Sequence, residues 1–337
     1  MSQSSTQAAS SQTGGVGNDR HFASTLKRFV QGGSLILLTY LVLYAIYGVL
    51  EPRALESYAI AALMNNTAPL ALAAAGLTFV ILSRGFDLSL AGVISICNVT
   101  LAVWPMEGPG GALASVLLCL AIGGFVGAIN GILVAWFQLQ SIAATLATMI
   151  ICQGVALVIL DAPGGYVAEW IVYEMTDRLW GVIPVSGLVV LAVLGVWMIL
   201  RRTGFGTAIY AVGADEQAAA LSGVRVQHVR FGAYVCAGLL YGLAGFMLSA
   251  QTATGIPTSG APLLLLSFAA VALGGTSLAG GSGGLFASVI GAATLTLLQK
   301  VLFSAGISSF YTGMFQGVVL ILAVVFSVTM SRIGAKQ

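Results

Sequence analysis

The stretch YAIAALMNNTAPLALAAAGLTFVILSRGFDLSLAGVISICNVTLAVW (58–104) is two apolar runs, 58–82 and 88–104, joined by a short polar turn. A bilayer core of about 30 Å needs about 20 apolar residues as helix. The first run meets that length, and the second falls short of it. The pair therefore reads either as two spans or as one span followed by a partial, re-entrant helix. Working outward, similar runs lie near 32–50, 111–137, 140–160, 184–200, 229–251, 263–280, 284–304 and 312–331. The expectation is an all-α, polytopic membrane bundle of about ten segments, within a range of eight to eleven.

Composition excludes the other classes. Of 337 residues, 58% are apolar and only 7% are charged, against about 25% charged in soluble domains. The mean hydropathy is +0.99. A soluble enzyme, a nucleic-acid binder and a disordered chain are ruled out. The 43 glycines argue for close helix packing or interrupted helices. Cys97, Cys119, Cys152 and Cys236 stand singly in apolar runs and read as small buried hydrophobes, so no metal site is expected.

Basic residues orient the chain. Arg20, Lys27, Arg28, Arg84, Arg201, Arg202, Arg225, Arg230, Arg332 and Lys336 fall on one side, and Arg53, Arg178 and Lys300 on the other. Both termini are thus expected inside. The domain reading is a cytoplasmic tail over 1–28, a membrane domain over 29–331 and a tail over 332–337. Within the membrane domain, 161–183 is an outer loop, where acids alternate with Tyr166, Trp170, Tyr173 and Trp180. A short interfacial helix is expected there in preference to a binding site.

Two turns share the run Ser-Leu-Ala-Gly, SRGFDLSLAG (83–92) and GGTSLAGGSGG (274–284), one in each half of the chain. Weakly related halves with helices broken at matching places suit a transporter. Gly123, Gly127 and Gly131 recur every four residues and form a stripe that lets a second helix approach closely. The run Gly280-Gly281-Ser282-Gly283-Gly284 imitates a nucleophile motif. With only His21 and His228 in the chain, neither at membrane depth, Ser282 has no base, and no catalytic residue is assigned. No phosphate-binding loop occurs, since no lysine follows glycine.

The one long inner loop, RRTGFGTAIYAVGADEQAAALSGVRVQHVR (201–230), contains a candidate helix over 213–223. Asp215 and Glu216 suit a first turn, Gly223 suits a stop, and Ala218–Ala220 form a slim face able to enter a groove. An ordinary helix resting on the membrane is the alternative. Ionisable groups at membrane depth are almost absent; Asp87 and Arg84 stand at a span end where they could pair. Asn65, Asn66, Asp87, Asn98, Asn130, Thr145, Thr148 and Gln153 are the candidate path-lining groups. Their amides and hydroxyls suit a neutral polyol, although each could equally bond helix to helix.

In order, SRGFDLSLAG (83–92), NGILV (130–134), IAATLATM (142–149), GTAIYAVGADEQAAALSGV (206–224) and AAVALGGTSLAGGSGG (269–284) resemble the permease subunits of ribose-type monosaccharide ABC importers. That group shares a broad family with branched-chain amino-acid permeases. The resemblance implies a multi-pass bacterial inner-membrane protein and a homodimer or heterodimer of permeases. It also implies a cytoplasmic ABC ATPase that holds the ATP and Mg, and a periplasmic binding protein that delivers the sugar. By the same resemblance Gly213, Asp215, Glu216, Ala218, Ala219, Ser222 and Gly223 form the ATPase-coupling segment. The chain departs from the family pattern at Arg84, where glycine is common, and at Gln153, where arginine often stands. A self-contained secondary transporter remains the alternative.

Overall fold

The computed structural model describes residues 34–307 and, beyond them, 311, 313, 314, 317, 318 and 321. The tails at 1–28 and 332–337, with their five basic residues, lie outside the described residues, as does most of the 312–331 stretch. Among the residues 34–307 twelve helices follow one another: α1 Ser34–Leu50, α2 Ser57–Leu82, α3 Leu90–Val103, α4 Gly108–Ala135, α5 Ser141–Ile159, α6 Glu169–Thr176, α7 Val185–Leu200, α8 Gly204–Ala214, α9 Glu216–Leu221, α10 Val226–Thr252, α11 Ala261–Leu273 and α12 Leu285–Ser304. A hairpin of two-residue strands, β1 Arg178–Leu179 with β2 Ile183–Pro184, interrupts the helices of the described residues. It turns through Trp180 and Gly181, both at positive φ, the geometry that tight hairpins favour.

Each predicted apolar stretch among the described residues is helical, but length separates them. Five helices (α2, α4, α5, α10 and α12) are long and apolar enough to cross a membrane. A sixth crossing exists if α7 and α8, bent by 82° at Arg201–Thr203, count as one. α3 has 14 residues, or about 21 Å at 1.5 Å per residue, and α11 has 13. Both are therefore partial helices, and the short runs at 88–104 and 263–280 do not make full crossings by themselves. α1 is also short of the mark at 17 residues.

The core is built around α2 and α3. Every α3 residue from Leu90 to Ala102 is buried, as is all of α2 from Thr67 onward. An apolar chain hidden on all sides in this way is a central element and has no lipid face. α10 packs most extensively on α4 and next on α2; α3 lies between α5 and α10, and α12 runs along α2.

The α4–α10 contact follows from the glycine stripe. A Cβ at Gly123 would overlap the Gly238 carbonyl, one at Gly127 the Tyr234 carbonyl, and one at Gly131 would reach the Phe231 ring at 2.8 Å. Lipid offers helices no hydrophobic incentive to associate, so backbone-to-backbone packing of this kind supplies the attraction. The outer loop contains the short helix expected of it. α6 buries Ile171, while Tyr166, Tyr173 and Trp180 stay exposed.

Gly127→Val should force α4 off α10. A loss of about 2 kcal/mol is expected from such overpacking, read as a lowered thermal unfolding midpoint in detergent, whereas Gly154→Ala, at an exposed α5 position where a Cβ meets open space, should not lower the midpoint.

Candidate functional site

The predicted path-lining residues fall into two groups. In the first, Asp87, Asn130, Thr145 and Thr148 are buried and bonded to one another or to the 83–89 turn. Asp87 Oδ1 accepts from the Ser89 N–H at 2.9 Å and from its hydroxyl at 2.6 Å. The Asn130 amide donates to Ser89 Oγ at 2.8 Å and accepts from Thr148 Oγ1 at 2.8 Å. Thr145 Oγ1 accepts the Leu88 N–H at 3.1 Å, and Ser141 Oγ accepts that of Phe86 at 3.2 Å. The Tyr234 hydroxyl donates to the Phe86 carbonyl at 3.1 Å. These groups hold a break between helices together. Asn98 is alike: its amide reaches Ser249 Oγ and the Thr254 carbonyl, and its oxygen accepts the Ile256 N–H at 2.6 Å.

The second group is partly open. Asn65 donates to the Thr176 carbonyl and accepts from Ser186. Gln153 donates to the Pro257 carbonyl at 3.0 Å. Asn66 accepts from exposed Gln251. Gln251 was not among the sequence candidates, because nothing in a run of α10 distinguishes a helix-terminal glutamine from a solvated one.

Arg84 and Asp87 do not pair. The ion pairs among the described residues are Arg53–Glu56 and Arg230–Glu216. Asp87 is fully buried, whereas Arg84 turns outward at φ 67°, a left-handed backbone that costs a side-chain-bearing residue roughly 1–2 kcal/mol. That conformation explains why glycine suits the position. The Arg84 side chain lines a cavity of about 820 Å³ with Gln138, Gln217, Arg225, His228 and Arg230.

The 201–230 loop folds as two helices where one was expected. Thr203 caps α8, its hydroxyl accepting the Gly206 N–H at 3.3 Å. Asp215 caps α9 through the Ala218 N–H at 3.0 Å. Gly213 therefore ends α8 as a buried residue and does not open the second helix. Ser222 follows α9, and Gly223 stops it at φ 84°. Ala219 is 5% exposed and packs into the membrane domain. The slim face thus does not include Ala219, because a helix of six residues must seat one side to stay folded. Its outward side carries Gln217, Ala218, Ala220 and Leu221, with Leu221 90% exposed. Glu216 bonds Arg230 of α10 at 2.7 Å and fixes the angle between the two helices.

The glycine-rich turn at 274–284 is conformational. Gly275, Gly280, Gly281 and Gly283 all adopt positive φ, which only glycine does without strain. Ser277 N–H closes on the Ser282 carbonyl at 3.0 Å, and Thr276 bridges Gly284 and Ser288. His228 packs edge-on against Trp136 with centroids 5.7 Å apart.

A double-mutant cycle should detect the buried network. Asn130→Ala and Thr148→Val should each destabilise the protein in detergent, and together should show a coupling of about 1 kcal/mol; additive effects would mean that the two side chains do not share a bond.

Comparison with known proteins now gives these elements a setting. The sequence profile described as branched-chain amino acid transport system / permease component matches residues 59–324. The chain is 37% identical over 286 residues to the ribose import permease protein RbsC of Bacillus subtilis (strain 168), covering 84% of this chain and 88% of that one. It is 34% identical over 294 residues to RbsC of Escherichia coli (strain K12), covering 86% and 91%. Against the autoinducer 2 import system permease protein LsrC of Yersinia enterocolitica it is 31% identical over 294 residues, covering 86% and 81%. No solved structure matches. With its membrane-length helices the chain is a multi-pass protein of the bacterial inner membrane. It belongs to the family of branched-chain amino acid transport system permease components, the membrane subunits of ABC importers whose ATP hydrolysis resides in a separate subunit.

Proposed function

We propose that this chain forms the channel of an ATP-driven importer for a neutral monosaccharide or related polyol. A periplasmic binding protein delivers the cargo, and a cytoplasmic ATPase, which holds the ATP and Mg, drives its passage through a pair of permeases set among membrane lipids. Relatives named for ribose and for autoinducer 2 support a small polar cargo. The half-open amides Asn65, Asn66, Gln153 and Gln251 support it as well, since they can bond hydroxyls without presenting a fixed charge. Family membership replaces the secondary-transporter alternative.

The observation that carries the reading is α9. It presents Leu221, 90% exposed, at the tip of the long loop, while Asp215 and Glu216–Arg230 hold its frame rigid. An exposed leucine on a braced helix suits an apolar groove of a partner. In this reading α9 docks into the ATPase, both termini and 201–230 face the cytoplasm, and 161–183 faces the periplasm.

Leu221→Arg should then place a charge in the docking groove and abolish co-purification with the ATPase, with loss of uptake and normal membrane insertion. Retained association would refute docking through α9. A single cysteine introduced at Asp177 should be labelled by an impermeant maleimide in intact cells, and one at Gln217 only after lysis. The reverse pattern would invert the orientation.

A further inference from the structure

Three contacts fasten α8 to both broken-helix turns. Gly213, in the last turn of α8, lies so close to the Leu82 carbonyl and the Gly281 N–H that a methyl group there would overlap both. The Gly281 N–H itself donates to the Leu82 carbonyl at 3.2 Å, so α8 and the two turns converge on one oxygen. Three residues earlier, on the same face of α8, the Tyr210 hydroxyl donates to the Gly283 carbonyl at 2.9 Å. The Tyr210 ring lies 6.4 Å from that of Trp197 in α7, and Trp197 packs edge-on against Phe79 of α2 at 5.0 Å. α8 is thus held against the turn ending α2 and the turn opening α12 by separate contacts.

The two turns are also the places where helices of the membrane domain break off and restart. Four residues of 274–284 adopt positive φ, and Arg84 does so in 83–89. The helices they join are close-packed and rigid by contrast. At this same end α8 passes into α9 through the single residue Asp215. A push on α9 therefore has a short, stiff route to both turns.

We propose that α8 is the lever of the coupling loop, carrying displacement of α9 to both helix breaks at once, with Tyr210 and Gly213 as its positioning residues. The proposal rests on the docking of α9 to the ATPase, which Leu221→Arg tests separately. The lever is tested with Tyr210→Phe, which removes one oxygen and keeps the ring packed on Trp197. The permease is purified with its ATPase, reconstituted in vesicles and supplied with binding protein and ribose. ATP hydrolysis and uptake are measured together.

The variant should insert normally and keep its ATPase. Its sugar taken up per ATP hydrolysed should fall about fivefold or more, the scale of one lost hydrogen bond at the contact. A merely structural bond would lower yield or thermal stability and leave that ratio intact, which would overturn the proposal. Loss of the ATPase from Tyr210→Phe would also overturn it, by assigning Tyr210 to docking. Gly213→Ala approaches the same junction by steric means and should lower the same ratio; an unchanged ratio there refutes convergence on Leu82. Should Leu221→Arg keep its partner, the docking of α9 is what has failed.

Discussion

A helix that stops inside a membrane domain exposes backbone N–H and C=O groups that lipid cannot satisfy. This constraint governs the centre of the protein. α2 ends and α3 begins across 83–89, and several of the groups freed there find protein partners, although the buried Asp87 Oδ2 has none. Ser141 and Thr145 on α5 accept from Phe86 and Leu88, Asp87 accepts from Ser89, and Tyr234 on α10 donates to Phe86. Asn130 and Thr148 then lock those partners in place. The polar residues of the interior are thus spent mainly on the break, and their abundance follows from the broken helix.

That break requires its neighbours to stand close, and glycine makes this possible. Gly123, Gly127 and Gly131 let α4 lie with its backbone against that of α10, which brings Asn130 and Tyr234 to the same turn from different helices. A larger residue in the stripe would separate the helices and leave buried polar groups without partners, each a cost of about 1–3 kcal/mol. Packing and polar satisfaction here are one requirement met by two kinds of residue.

The second turn, 274–284, meets the same constraint differently. Where 83–89 leans mainly on hydroxyls from neighbouring helices, the glycine-rich turn folds back on itself through Thr276 and Ser277, donates to the Leu82 carbonyl and accepts from the Tyr210 hydroxyl. The exposed face of α9 and the buried face of α8 then divide the long loop between an outward and an inward task. The inward face touches both turns, and the outward face ends in Leu221.

The sequence by itself determined the class, because an apolar fraction of 58% with 7% charge admits only a membrane bundle. It also located nearly every helix and the packing stripe, since apolar runs and four-residue glycine spacing are local patterns. The Asp215–Gly223 segment was legible for the same reason: capping residues act on their own neighbours. The helix ends were decided only by the fold, which leaves α3 and α11 too short to cross alone and buries α3. The fate of the polar residues was decided there as well. Asn130 and Thr148 look in sequence like candidates for a path, and the fold bonds Asn130 to Ser89, 41 residues away, and Thr148 to Asn130, 18 residues away. Ala219 reads as part of a docking face until the fold turns it inward. A side chain's chemistry is written in its residue type, but its partner and its facing depend on distant segments, and only tertiary packing brings those together.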